Sequence, residues 1–259
     1  MKIAVTGKGG VGKTSFVALL GSALQKSGNS VLYIDADPDM NLATVLQVPE
    51  NISITPIVEL KELIAERTGV QPGQPAPLFK MNPKVDDIPD TYCVQYAGFK
   101  LMAMGTIKKG GGGCACPENA FLKSLLAHLV IARNEWVLLD MEAGIEHLGR
   151  GTAIGVDHLV IVVEPNKTSI ETAHRILSLS RDINIRSVYA VGNKIQDDDD
   201  VKFLQDELSD FGVLGYIGYS KDIRDISLRK SSPESMGEET YRLFKGIVEK
   251  LEMKSGITT

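Results

Sequence analysis

Gly7-Lys8-Gly9-Gly10-Val11-Gly12-Lys13-Thr14 is the stretch that decides the fold. It fits the pattern G-x-x-x-x-G-K-S/T, with Gly7, Gly12, Lys13 and Thr14 at the fixed positions. Its glycines let successive backbone N–H groups turn inward on phosphate oxygens. Lys13 then reaches the β- and γ-phosphates, and the Thr14 hydroxyl is placed to ligate Mg²⁺. Gly9, Gly10, Val11 and Ser15 are expected to complete the cradle. The flanks agree. Lys2-Ile3-Ala4-Val5-Thr6 reads as a short apolar strand, and Phe16-Val17-Ala18-Leu19-Leu20 opens a helix whose N-terminal dipole favours an anion.

Further apolar runs recur along the chain at 30–35, 135–140, 158–163, 188–191 and 213–217. Near-continuous apolar strands alternating with helical stretches predict a parallel sheet buried on both faces. The expected fold is therefore an α/β P-loop NTPase, a mostly parallel sheet flanked by helices on both faces. Thr168-Ser169-Ile170-Glu171 reads as a capping box, followed by an apolar face of Ile170, Ala173 and Leu177. Pro233 is expected to open a last helix carrying Phe244, Ile247, Val248 and Leu251 on one face. The acidic run Asp197 to Asp200 reads as a solvated helix start. One domain is expected over 1–259. Within it, 49–98 is read as an insertion on the functional edge, and 106–117 as a metal-binding loop.

Composition narrows the partners. The 259 residues carry 28 Lys+Arg against 33 Asp+Glu, a formal charge of −5, which argues against a nucleic-acid partner. No apolar run is long enough for a membrane span, so no membrane partner is expected. The chain enters strand and loop at once, without a signal peptide, and its three cysteines are too few for a disulfide framework. A reducing cytoplasm is the expected location.

Carboxylates are expected to complete the nucleotide site. Asp35 and Asp37 end the second strand, where ligands of open α/β sheets bind. A carboxylate there can orient water against the γ-phosphate or hold a water bound to Mg²⁺. Asp140 ends another apolar strand and needs a partner for its charge. Asn193-Lys194-Ile195-Gln196 follows a further strand. A GTPase has aspartate where Gln196 stands, so adenine is favoured, with Asn193 expected on the base and Lys194 also among the nucleotide-binding residues.

Gly110-Gly111-Gly112-Gly113-Cys114-Ala115-Cys116-Pro117 is a second informative stretch. Pro117 suits the first turn of a helix with an apolar face of Phe121, Leu122, Leu125, Leu126 and Leu129. An extended Cys116 before proline would put Cys114 and Cys116 on one side, at a helix terminus that favours thiolates. Two thiolates bind soft metals but fill half of a tetrahedral shell, so Zn²⁺ or Ni²⁺ shared between two subunits is expected. Inert cysteines, a redox pair and an iron–sulfur cluster are the alternatives, and the native metal stays open. Cys93 is read as a packed small side chain in a strand-like run.

These motifs resemble known families. Lys8-Gly9-Gly10-Val11-Gly12-Lys13-Thr14 is similar to the deviant phosphate loop of the ParA/MinD and nitrogenase iron protein ATPases. The resemblance implies ATP hydrolysis in a homodimer, with Lys8 crossing to the partner's nucleotide. It implies that Asp37, before Pro38, is the switch I aspartate that orients water or holds a Mg²⁺-bound water, that Lys13 and Asp37 are catalytic with Lys8, and that Asp35 assists. It also makes Asp140 the Walker B carboxylate, so that Thr14, Asp35, Asp37 and Asp140 surround Mg²⁺. With Cys114/Cys116, the 140–148 run and Arg150-Gly151-Thr152, the chain resembles CooC-type maturation ATPases. That likeness implies nickel insertion into a client, carbon monoxide dehydrogenase or the related acetyl-CoA synthase. A positioning or adaptor ATPase of the MinD/ParA kind is the rival expectation.

Overall fold

The computed structural model describes residues 1–71, 78–105, 116–131, 135–143, 156–185 and 187–255. An eight-stranded sheet runs through these residues. Its strands are β1 (Lys2–Thr6), β2 (Val31–Asp35), β3 (Val94–Tyr96), β4 (Phe99–Ala103), β5 (Trp136–Asp140), β6 (His158–Val163), β7 (Val188–Ile195) and β8 (Gly212–Gly218). Their spatial order is β3-β4-β2-β5-β1-β6-β7-β8, all parallel except for β3 against β4. The helices are α1 (Lys13–Lys26), α2 (Leu42–Val45), α3 (Lys61–Thr68), α4 (Ile88–Tyr92), α5 (Cys116–Ile131), α6 (Lys167–Asp182), α7 (Asp198–Glu207), α8 (Lys221–Ser227) and α9 (Glu238–Lys254).

Side-chain alternation distributes the core to both faces. Ile3, Val5, Val31, Tyr33 and Leu138 pack with α1 and α9. Ala4, Leu32, Ile34, Val137 and Leu139 pack on the opposite face with α3, α5 and α6. Both faces are covered, which is why the central strands carry no polar alternation. Helix α1 lies close on β2 because residue 21 is glycine. A Cβ there would sit 2.1 Å from the Tyr33 hydroxyl, which donates to the Ala18 carbonyl at 3.3 Å.

Several elements differ locally from the pattern in the sequence. Strand β7 runs on through Asn193 and Lys194 instead of stopping before them. Asn166, not Thr168, caps α6, its side chain accepting from the Ser169 N–H at 2.9 Å. Pro233 opens a 3-10 turn, Pro233–Ser235, and α9 begins after Gly237. Cys93 follows helix α4 rather than lying in a strand, and it packs half-buried against the core. Val94–Tyr96 and Phe99–Ala103 form a hairpin that extends the sheet, a pair too short and irregular to declare itself by pattern. The Asp197–Asp200 run starts a helix as read, with Asp197 accepting from the Asp200 N–H at 3.0 Å.

Candidate nucleotide site

The parallel strands bring Thr6, Asp35, Asp140, Glu164 and Asn193 to one edge of the sheet. The register aligns Val5 with Asp140 and Asp140 with Asp35, so Asp140 lies beside the strand that feeds the loop and Asp35 one strand further out on the same side. The loop leaves β1 through Gly7, whose Cβ, if present, would lie 2.4 Å from the Val162 carbonyl. It enters α1 through Gly12 at φ 93°, a left-handed conformation open to glycine. A Cβ at Gly12 would meet the Asn193 side-chain nitrogen at 2.6 Å.

Lys13 is buried at the helix start, with its Nζ 3.9 Å from Asp37 Oδ2. Asp37 also accepts from the Asp39 N–H at 3.1 Å, which fixes the carboxylate in its turn. Asp35 is committed differently. Its two oxygens accept from the Asp37 N–H at 3.2 Å and from the Leu42 N–H at 3.0 Å. It therefore shapes the turn that carries Asp37. Burial pushes its carboxyl up to about 6, against the pull of those two N–H donors.

Asp140 is fully buried, and neither of its oxygens has a hydrogen bond of good geometry among the described residues. Burial raises its carboxyl to about 7; the neighbouring Thr14 hydroxyl offsets only part of this, and Asp35 adds repulsion. An orphaned buried carboxylate beside a loop threonine is what a divalent cation would satisfy. No cage of three or more His, Cys, Asp or Glu gathers among the described residues. Mg²⁺ in nucleotide sites takes one or two protein ligands together with phosphate oxygens and water.

Asn193 and Lys194 both turn to the loop. The Asn193 side chain donates to the Val11 carbonyl at 2.7 Å, and Lys194 Nζ donates to the Gly10 carbonyl at 2.7 Å. Asn193, expected on the base, has this amide nitrogen bound to the loop backbone instead. Lys8 donates to Thr168 Oγ1 at 2.5 Å, at the start of α6. Reading the sequence did not single out Thr168 as the partner of Lys8, because contact between residues 160 apart leaves no periodic trace. Cys114 and the side chain of Cys116 lie outside the described residues. The backbone of Cys116 is already the first residue of α5, rather than an extended residue before it.

A doubly flanked parallel sheet, this loop and these edge carboxylates define a nucleotide-binding protein of the P-loop class. The model of the CbiA family, the CobQ/CobB/MinD/ParA nucleotide binding domain, matches residues 2–233. A full-length relative is the carbon monoxide dehydrogenase accessory protein CooC of Rhodospirillum rubrum, 43% identical over 265 residues and covering 100% of both chains. An uncharacterized ATP-binding protein of Methanocaldococcus jannaschii is 42% identical over 226 residues, 86% of this chain and 87% of that one. Among solved structures, the MinC:MinD cell division complex of Aquifex aeolicus aligns with a TM-score of 0.70 at 23% identity, covering 97% of this chain and 95% of that one. That likeness speaks to the fold alone. The chain belongs to the CobQ/CobB/MinD/ParA nucleotide-binding family, as a CooC-type member.

Proposed function

We propose that this chain is a homodimeric, Mg²⁺-dependent ATPase that couples ATP binding and hydrolysis to metal delivery. The client is carbon monoxide dehydrogenase or the related acetyl-CoA synthase, and the cargo is nickel. The observation that carries the ATPase reading is Asp140, a buried carboxylate that, among the described residues, has no hydrogen-bond partner of good geometry behind the loop threonine. The client reading rests on the full-length likeness to the accessory protein. In this reading Thr14 and Asp140 hold the Mg²⁺ site, with Asp35 and Asp37 beside them. Mg²⁺ held there would neutralise charge on the phosphate oxygens. Lys13 adds positive charge on the same oxygens. Asp37 orients a water for attack on the γ-phosphorus; as the new P–O bond forms, the bond to the β–γ bridging oxygen breaks, ADP leaves with that oxygen, and the water's proton passes to the released phosphate.

Lys8 belongs to the dimer step. When two copies meet face to face, it leaves Thr168 and reaches the partner's phosphates, so hydrolysis waits for pairing. Cys114 and Cys116 from each copy together supply the four thiolates of a tetrahedral site for Ni²⁺ or Zn²⁺. Nucleotide state then changes how the two copies meet, and with it whether metal is held. Both the absence of a membrane-spanning helix among the described residues and the reducing location expected for thiolates fit a cytoplasmic protein.

The test is reconstitution. Nickel-loaded protein and Mg-ATP are mixed with nickel-free carbon monoxide dehydrogenase, and recovered CO oxidation is measured. Wild type should restore activity, while Lys13→Ala and the Cys114→Ser/Cys116→Ser double variant should not. ATP-dependent sedimentation with anionic liposomes, without metal binding, would instead place the chain with the positioning ATPases. An iron–sulfide absorbance band in anaerobically purified protein would favour a cluster carrier.

A further inference from the structure

We propose that Lys194 and Glu164 are positioning residues that set the phosphate loop, with Lys194 acting on the Gly10 carbonyl instead of on the nucleotide base. This rests on the reading of residues 7–14 as a phosphate cradle and on no part of the client or metal assignment.

Successive strand residues point to opposite faces, so Asn193 and Lys194 cannot both reach the loop from a regular β7. The strand is irregular at this point. Lys194 has φ 61°, a left-handed conformation that a lysine adopts at a cost, and the register with β8 shifts between Asn193 and Ile195. The irregularity lets both side chains donate to consecutive loop carbonyls, those of Val11 and Gly10. A peptide whose carbonyl is held outward presents the following N–H inward, which is the orientation a phosphate needs.

The amine is itself held in place. Lys194 Nζ also pairs with Glu164 Oε1. The other oxygen of Glu164 accepts from the Asn166 side-chain amide at 3.0 Å. Asn166 in turn caps α6 and accepts from the Thr168 hydroxyl at 2.9 Å, and Thr168 accepts from Lys8. The network thus leaves the loop at Gly10, crosses the start of α6 and returns to the loop at Lys8. Helix α6 is anchored by a buried face of Ile170, Ala173, Ile176 and Leu177, so it is a firm support for a loop rich in glycine. With its contacts committed to Gly10 and Glu164, Lys194 is directed to the loop and not to a base.

Titrations with fluorescent ADP, GDP and AMP test this. Lys194→Met should weaken ADP about 10- to 100-fold, the worth of a charge-assisted hydrogen bond. AMP, which lacks the β-phosphate held by the loop, should weaken much less, so the ADP-to-AMP preference shrinks. The ADP-to-GDP preference should stay unchanged, and Lys194→Arg should restore much of the loss. Glu164→Gln should weaken ADP by a smaller factor, and the Lys194→Met/Glu164→Gln double variant should be no worse than Lys194→Met alone. Lys194→Gly suits the positive φ and keeps the test alive should Lys194→Met fold poorly. It should lose ADP affinity while melting no lower than wild type by more than a few degrees. A changed ADP-to-GDP preference would assign Lys194 to the base and overturn the proposal. So would unaltered ADP affinity with a lowered melting temperature, or additive losses in the double variant.

Discussion

Asp140 and Lys13 carry opposite problems at the same site. Asp140 is a buried carboxylate held up to about 7, chiefly by burial, against an ordinary value near about 3.9 in an unfolded chain. Because the folded state holds this proton more tightly, its contribution is fully present below the unfolded value. It is lost as pH rises through about 7. Asp140→Asn should therefore stabilise the nucleotide-free protein at pH 8, by about 1 kcal/mol or more, with the advantage fading toward pH 5. In Mg-ADP the order should reverse. Urea midpoints at the two pH values, with and without Mg-ADP, check both signs. Lys13→Ala removes the cation that reaches the phosphates and should cost about 100-fold or more in ATP affinity. Asp37→Asn leaves the cradle intact. It should bind ATP within a few-fold of wild type and hydrolyse it about 100-fold more slowly. Single-turnover rates beside equilibrium titrations separate the two effects, and full turnover in Asp37→Asn would remove its water-orienting role.

At the scale of elements, His158 ties the last helix to the sheet. It lies on β6, buried, with Nε2 bonded to the Leu251 carbonyl at 3.1 Å and the Ser255 hydroxyl at 2.5 Å. Its ring meets Tyr189 edge-on, with centroids 5.4 Å apart, and its Nδ1 has no partner among the described residues. Burial lowers its pKa, the Leu251 carbonyl and Asp157 pull the other way, and Lys254 and the N-terminus assist burial. A histidine kept neutral in the fold contributes stability above its unfolded value near about 6.5. That contribution is lost as pH falls through its lowered folded value. The stability difference between wild type and His158→Phe should accordingly shrink as pH drops from about 7.5 to about 5. Comparing the pair cancels the opposing titration of Asp35 and Asp140, and a gap that widens on acidification would contradict the burial argument. The phosphate loop depends on a neighbouring element in a similar way, since Gly12 leaves room for Asn193 where an alanine would collide.

For the whole molecule, the proposed coupling predicts how mass follows ligand. Light scattering during Zn²⁺ or Ni²⁺ titration of reduced protein should give one tightly held metal per two chains, with dimer forming even without nucleotide. Acid should release the metal, because protonated thiols do not ligate. Replacing Cys114 and Cys116 by serine should abolish this while leaving ATP binding intact. One metal per single chain would defeat the shared site. Lys8→Ala should still bind ADP but lose hydrolysis and ATP-dependent pairing. A wild-type specific activity that persists far below the dimer dissociation constant would argue against action across the interface.

The sheet, its parallel sense and the phosphate loop were legible because each is local. Apolar runs, a fixed glycine spacing and a strand end followed by aspartate are written in consecutive residues, and burial on both faces leaves the runs unbroken. Asp35, Asp37 and Asp140 could be named for that reason. What their side chains do was not legible. Asp35 is spent on the Asp37 and Leu42 N–H groups, while Asp140 has no hydrogen bond of good geometry among the described residues, although both are aspartates ending apolar strands. The fates of Asn193, Lys194 and Lys8 were decided by tertiary structure alone. A left-handed residue inside β7 and the seating of α6 beside the loop join positions more than 150 residues apart. Such contacts arise from how strands order in the sheet, and strand order is set by packing of the whole chain rather than by any stretch of it.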